Sequence, residues 1–378
     1  MIGLSVRAMV ESAIRSGYPV TALDAFGDQD LRRLAESRSL HHDFHAGYSP
    51  EALYQASHGL SFDAVAYTSS FENHPEILRR FEKQCQILGN SSRVIRSVRD
   101  WKRFFSALKS AGFRTPETSF KRMAPDAEKR WLVKPVLGGG GHGIDFLNEI
   151  KTIPQGFMLQ EYISGKSCSA AFIANGKKAV VIGITAQLIG IPQLGSCGFR
   201  YCGNILPLPE LLDPVTGRKI IDTVQQLADF LVQEYELTGA NGIDFILKGD
   251  CIWPTEVNPR YSASMELIEK AYGLPVVHCH VQAVLEGSLP EFNLDSNVNQ
   301  KKYFGKGILF AGKNSIAPDT QSWIDRDIHD IPASGELLRK GNPVCTICIS
   351  RPTYQETFNG IIEEAAVLRN EIEGVEGF

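Results

Sequence analysis

The chain has 378 residues, a formal net charge of −4, and 43% hydrophobic against 22% charged residues. That length exceeds one compact core and predicts two or three domains. No apolar run approaches the roughly 20 residues that span a bilayer, no basic tract is interleaved with aromatics, and the N-terminus lacks a signal-peptide pattern, so we expect a cytoplasmic protein with neither membrane nor nucleic acid as partner.

The opening, Gly3-Leu-Ser5-Val-Arg7, reads as a glycine turn leading into a helix with apolar Ala8, Val10, Ala13 and Ile14. Tyr18 to Asp24 follows as a strand ending in an acid, which makes a βαβ start. Only Met1 and Ile2 precede the turn, so the first strand is abbreviated or begins upstream. A dinucleotide site would suit Asp24, but no G-x-G-x-x-G precedes it. Arg7, at the helix start, could reach an anionic ligand or a neighbouring carboxylate. Val65 to Thr68 reads as a strand that empties into Phe71-Glu72-Asn73-His74-Pro75 before a helix from Glu76 to Lys83. Ligands of open α/β sheets bind beyond the carboxyl ends of strands, so Glu72 and Asn73 are candidates for substrate contact; the alternative for Asn73 is a helix cap.

From Ser92 the pattern turns helical, with Asp100-Trp-Lys102-Arg-Phe-Phe broken at Gly112 and Pro116. Lys102 reads by periodicity as a surface lysine. The apolar run Trp131 to Val133 then delivers Lys134, followed by Gly138, Gly139, Gly140, Gly141, His142 and Gly143. Five glycines in six residues let backbone N–H groups turn inward around phosphate oxygens, and the lysine adds a point charge. A G-x-x-x-x-G-K-[ST] motif is absent, which excludes a Walker-type site. Next comes the strand Phe157 to Ile163, then alternating strands over residues 170–190. Gly195-Ser-Cys-Gly198-Phe-Arg200-Tyr201-Cys-Gly203-Asn204 is glycine-rich with Arg200 embedded, a candidate lining for an acceptor pocket.

An amphipathic helix over 216–236 leads into a hairpin. Its first strand delivers Asp244, the turn is Gly249-Asp250, and the second strand carries Glu256 and Asn258, two residues apart and so on one face. Three hard oxygen ligands side by side suit Mg²⁺, with Mn²⁺ as a substitute, when phosphates complete the octahedron. Arg260, just beyond, is placed to grip a carboxylate. After Pro290 the chain is polar over 293–302, then resumes strands at 306–310 and 343–350. The eight cysteines are scattered, and Cys85, Cys168 and Cys251 read as buried, reduced thiols. Cys345-Thr-Ile-Cys348 sits in a strand pattern without a second ligand pair, which favours core thiols over zinc.

Lys102, Lys134 with its glycines, Gln160-Glu161-Tyr162-Ile163, Asp244 and Glu256-Val-Asn258-Pro-Arg260, in that order, resemble the ATP-grasp superfamily, most closely the predicted ATP-dependent carboligases related to biotin carboxylase. Phe26-Gly27-Asp28-Gln-Asp30-Leu, Leu88-Gly89-Asn90 and Ile331-Pro332-Ala-Ser-Gly335 extend the likeness. The resemblance implies an α/β protein with three parts. These are an N-terminal open parallel α/β (pre-ATP-grasp) domain over 1–91, an ATP-grasp domain over 92–292 with a small β-lobe at about 120–168, and a small β-rich closing domain over 293–378.

It also implies ATP as cofactor, Lys102 on the phosphates, and Glu161, Tyr162 and Ile163 as the adenine hinge. Mg²⁺ would sit on Asp244, Glu256 and Asn258, with Arg260 and Lys134 catalytic. Many relatives place an acid for the ribose just beyond the hinge, whereas Lys166-Ser-Cys-Ser169 stands here. The implied reaction joins a carboxylate to an amine or thiol through an acyl phosphate, with small-molecule substrates and, by analogy, a homodimer. A carboxylase acting through carboxyphosphate is the alternative, but the glutamate that acts on bicarbonate has no equivalent, and Glu266 falls two residues late. A non-catalytic nucleotide-binding subunit is the third reading.

Overall fold

The computed structural model describes residues 1–121, 126, 128–147, 153–298 and 302–374. The first strand is a single residue. Ile2 makes parallel bridges to Leu23 on one side and Tyr67 on the other. It thereby joins the parallel pairs Thr21–Asp24 with Glu36–Ser39 and Ala64–Ala66 with Gln86–Leu88 into one sheet. The order places a switch point beside Ile2. Chain leaving Ile2 and Ala64–Ala66 therefore opens onto the crevice where open α/β sheets hold ligands. Helices Arg7–Arg15 and Pro75–Phe81 start there.

A small antiparallel sheet follows, ordered Thr118–Ser119, Phe157–Glu161, Trp131–Pro135, Asp145–Phe146. The sheet runs from Thr118 to Glu161. Lys166–Asn175 instead belongs to the large sheet, where it pairs with both Ala179–Ile189 and Thr238–Lys248. That strand is apolar on both faces for a reason. Ala170, Phe172 and Ala174 pack under helices Trp101–Ser110 and Pro214–Tyr235, while Ala171 and Ile173 pack on helices Met265–Tyr272 and Val276–Leu285.

The large antiparallel sheet has eight strands and runs on across residue 293. Tyr303–Phe310 pairs with Tyr201–Leu206 and then with Pro343–Arg351, so the C-terminal segment extends the same sheet and is roofed by helix Tyr354–Glu373. The polar stretch at 293–302 begins with a short helix, Leu294–Asn297, and its residues 299–301 lie outside the described residues. All eight cysteines are free. Cys168, Cys345 and Cys348 are buried, whereas Cys85 and Cys251 are only partly so, since each sits near an exposed turn. Among the described residues no helix is long and apolar enough to cross a membrane.

Candidate active site

The hairpin of Thr238–Lys248 and Cys251–Asn258 sets Asp244 directly opposite Glu256, with Asn258 two residues along the same face. Like charges opposed across strands repel. The protein offsets this with donors: Gln187 Nε2 donates to Asp244 Oδ1 at 2.9 Å and Asn258 Nδ2 to Asp244 Oδ2 at 3.0 Å, while Arg99 pairs with Glu256 at 2.7 Å. Compensation is incomplete. Burial, then the Glu256 charge, pushes the Asp244 carboxyl up to about 6. Surplus negative charge among hard oxygens is what a divalent cation relieves, so these residues fit Mg²⁺.

Lys134 lies at the end of Trp131–Pro135 and donates to Gln160 Oε1 at 2.9 Å. Burial lowers its ammonium, and Glu256 and Asp244 oppose that shift. A desolvated lysine held by a neutral amide keeps its charge available to a phosphate. The glycine loop beyond it is clasped from two sides. Asn73 Nδ2 donates to Gly138 O at 3.2 Å, and Tyr201 N–H donates to Gly140 O at 3.0 Å. At Gly141, φ is 74° and an added Cβ would stand 1.8 Å from Phe199 O. Only glycine allows that approach.

Asp244, Glu256, Asn258, Lys134, Gly140 and Gly141 line one cavity of about 950 Å³, together with Gly139, His142, Glu161, Tyr162 and Ile163 of the expected nucleotide set. Gly138 is tied to Arg99 and Asn73 at the cavity's edge, and Gly143 packs by Pro135. Ser167 and Ser169 also line it, at the start of the strand where an acid had no equivalent. Arg260 is braced: Nε donates to Glu72 Oε1 at 2.8 Å and Nη2 to Asn258 Oδ1 at 3.0 Å. Its positive charge holds the buried Glu72 below its usual range against the opposing effect of burial.

Lys102 does not reach the cavity. Its helix turns Trp101, Phe104, Phe105 and Leu108 inward, which leaves Lys102 exposed with its Nζ 5.5 Å above the Phe120 ring. Arg99, just ahead of that helix, takes the place at Glu256 and also donates to Asn73 Oδ1 at 2.6 Å. Arg7 is 1% exposed and already paired with Glu11, Asp30, Asp330 and Glu266, so it is an ion-pair hub and not a free anion receptor. Asn73 caps no helix; it links Arg99 to the glycine loop. Glu72 lines the cavity, its Oε1 accepting from Arg260. Arg200 does line the cavity, stacked 5.0 Å over Phe310 with Nη1 on Gly341 O.

The sequence reading missed Arg99, Gln160 as lysine anchor, Gln187 and Lys306. Nothing local marks them, because each acts on a residue at least 26 positions away.

A two-lobed cradle with a glycine loop over a hairpin acid pair defines the ATP-grasp fold. Residues 98–264 match the ATP-grasp domain family, so the chain carries an ATP-grasp domain. An uncharacterized protein of Methanocaldococcus jannaschii is 26% identical over 97% of this chain and 91% of its own length. The carbamoyl phosphate synthase large chain of Thermotoga neapolitana is 24% identical over 56% of this chain, which matches only 20% of that relative's length.

Among solved structures, an L-amino acid ligase from Bacillus licheniformis superimposes with TM-score 0.69 at 16% identity, covering 97% of this chain and 96% of the other. The biotin carboxylase domain dimer of Hydrogenobacter thermophilus 2-oxoglutarate carboxylase, solved with MgADP, ADP and bicarbonate, gives TM-score 0.69 at 15% identity, covering 95% and 87%. At such identities the likeness is one of fold.

Proposed function

We propose that this chain is an ATP- and Mg²⁺-dependent ligase that joins a small carboxylate to an amine, releasing ADP and phosphate. One observation carries the reading: the paired acids Asp244 and Glu256, the unspent charge of Lys134 and the braced Arg260 all face a single cavity. Asp244, Glu256 and Asn258 would hold the metal, which when bound neutralises charge on the transferred phosphoryl group. Mn²⁺ suits the same oxygens.

Lys134 and the loop amides orient the triphosphate, and Tyr162 and Ile163 close the base end. Arg260, fixed by Glu72, presents its guanidinium to the carboxylate. A carboxylate oxygen attacks the γ-phosphorus and the bond to the β,γ-bridging oxygen breaks, so ADP leaves. The amine nitrogen then attacks the acyl carbon, loses a proton, and the acyl C–O bond breaks to release phosphate. A thiol nucleophile follows the same course.

Carboxyphosphate chemistry is disfavoured by Glu266. Glu266, the acid nearest in sequence to the position of the missing glutamate, is buried between Arg7 and Lys306, which hold it ionised far below the usual carboxylate range. A non-catalytic subunit would have no use for a metal-poised acid pair. The test is ADP release with Mg²⁺ across acids paired with amines. Release that needs both substrates supports the ligase; release with bicarbonate and no amine overturns it in favour of a carboxylase; none with any pair, alongside MgADP binding, points to a regulatory subunit. Glu256→Gln should abolish release while leaving the thermal midpoint without ligand close to that of the wild type.

A further inference from the structure

The far end of the cavity is lined by Arg7, Phe26, Asp28, Ser264, Lys306 and Asp330. Charge there does not balance. Asp24, Asp28, Asp30, Asp330, Glu266 and Asp327 are six acids facing four cations, Arg7, Lys306, Lys270 and His329; the last two pair with Asp327, and His329 also lies 3.9 Å from Asp30. Arg7 is shared among acids, and Lys306 goes to Glu266.

No cation reaches Asp28. It precedes helix Gln29–Leu34 but makes no capping bond, and its Oδ2 is buried without a partner although the residue is only 8% exposed. Burial first, then the charges of Asp330, Asp24 and Asp30, drives its carboxyl well upward. A carboxylate spent on neither cap nor ion pair, in a buried cavity wall, costs stability unless something arrives to pair with it.

The surrounding backbone is built to keep the acids together. Gln29 N–H donates to Ile331 O at 2.8 Å, and Asp30 accepts from Asp330 N–H and Ile331 N–H at 2.9 and 3.1 Å. Asp330 is held at φ 53°, a conformation that side chains rarely adopt, so that its carboxylate lies along Arg7.

We propose that this end of the cavity is a cation subsite, in which Asp28, backed by Asp330, binds an ammonium group of the amine substrate. The inference rests on the ligase reading and narrows it. An ammonium held as a cation has no lone pair, so the attacking nitrogen must be a second one. The substrate class is therefore an aliphatic diamine or another amine bearing a further positive charge.

The test uses the full-length protein and isothermal titration with 1,n-diaminoalkanes of two to six carbons, with and without MgADP. 1-Aminobutane and succinate serve as controls. At least one diamine should bind more tightly than either control, and Asp28→Asn should weaken it at least tenfold while MgADP binding stays unchanged. No diamine binding to protein that binds MgADP, equal binding by Asp28→Asn, or preference for succinate overturns the subsite and leaves the ligase standing. Failure of MgADP to bind, with diamine binding intact and sensitive to Asp28, overturns the ligase instead. Ligand-free Asp28→Asn should melt at or above the wild-type temperature, because a buried carboxyl without a partner gives way to an amide that never ionises; a fall of several degrees would make Asp28 structural and also overturn the proposal.

Discussion

Gly141→Ala tests whether the glycine loop must close for the nucleotide to be held. The new Cβ would stand 1.8 Å from Phe199 O, so the loop must retreat by well over an ångström. The Tyr201–Gly140 bond at 3.0 Å cannot survive that shift. Losing it costs about 1 kcal/mol. Holding alanine at φ 74° costs roughly 1–2 kcal/mol more. Together, about 2–3 kcal/mol should weaken MgATP binding on the order of 30- to 150-fold by titration calorimetry. Gly139→Ala is the control, since nothing lies within 4 Å of its added Cβ and its φ is ordinary. Equal MgATP affinity in Gly141→Ala and wild type would refute the closed-loop reasoning. So would an equal loss in Gly139→Ala.

Arg99→Lys removes the fork that joins Glu256, Asn73 and Gly138 O. We expect ATP-dependent turnover to drop roughly a hundredfold with the fold intact by circular dichroism, since lysine cannot make the parallel contacts. Arg260→Ala should leave MgADP affinity within about threefold, yet lose phosphoryl transfer, because it also strands the buried Glu72; measured turnover at wild-type level would remove its assigned role.

Two pH profiles have opposite signs. His280 is buried as the neutral ring, accepting from Ala240 N–H and facing Leu88 O, and burial lowers it from 6.5 to about 4. The unfolded chain binds its proton first, so this group withdraws up to about 3 kcal/mol of stability as pH falls from 6.5 to 4, and urea midpoints of His280→Gln should show that slope removed. Asp24 is raised to about 7, mainly by burial. The folded state keeps its proton longer, so stability falls as pH rises from about 4 to 7, and Asp24→Asn should exceed wild type by up to about 4 kcal/mol at pH 8 and match it near pH 4.

Local pattern settled a good deal. Alternating apolar positions produced the hairpin, and its period of two put Glu256 and Asn258 on one face, while the pairing register set Asp244 opposite Glu256. Lysine, then glycines, after an apolar run marked the loop that lines the cavity, and the apolar pattern around Cys345 and Cys348 marked the strand Pro343–Arg351. Asp100 and Asp213 start their helices as N-caps, within one or two residues of the expected positions.

What only the tertiary structure decided was which charges are spent and which are free. Helix phase, set by the four apolar residues that Trp101–Ser110 buries, turned Lys102 outward and left Glu256 to Arg99. The eight-stranded sheet ignored the composition change near residue 293, because hydrogen bonding between strands is blind to side-chain polarity at a linker. Arg7 and Asp330, 323 residues apart, became partners only because Asp30 draws the backbone at Asp330 onto the switch point beside Ile2. A carboxylate's role depends on the sum of charges within a few ångströms, and that sum is taken over residues remote in the chain. For that reason the sequence displayed Asp28 within a motif while leaving its missing partner invisible.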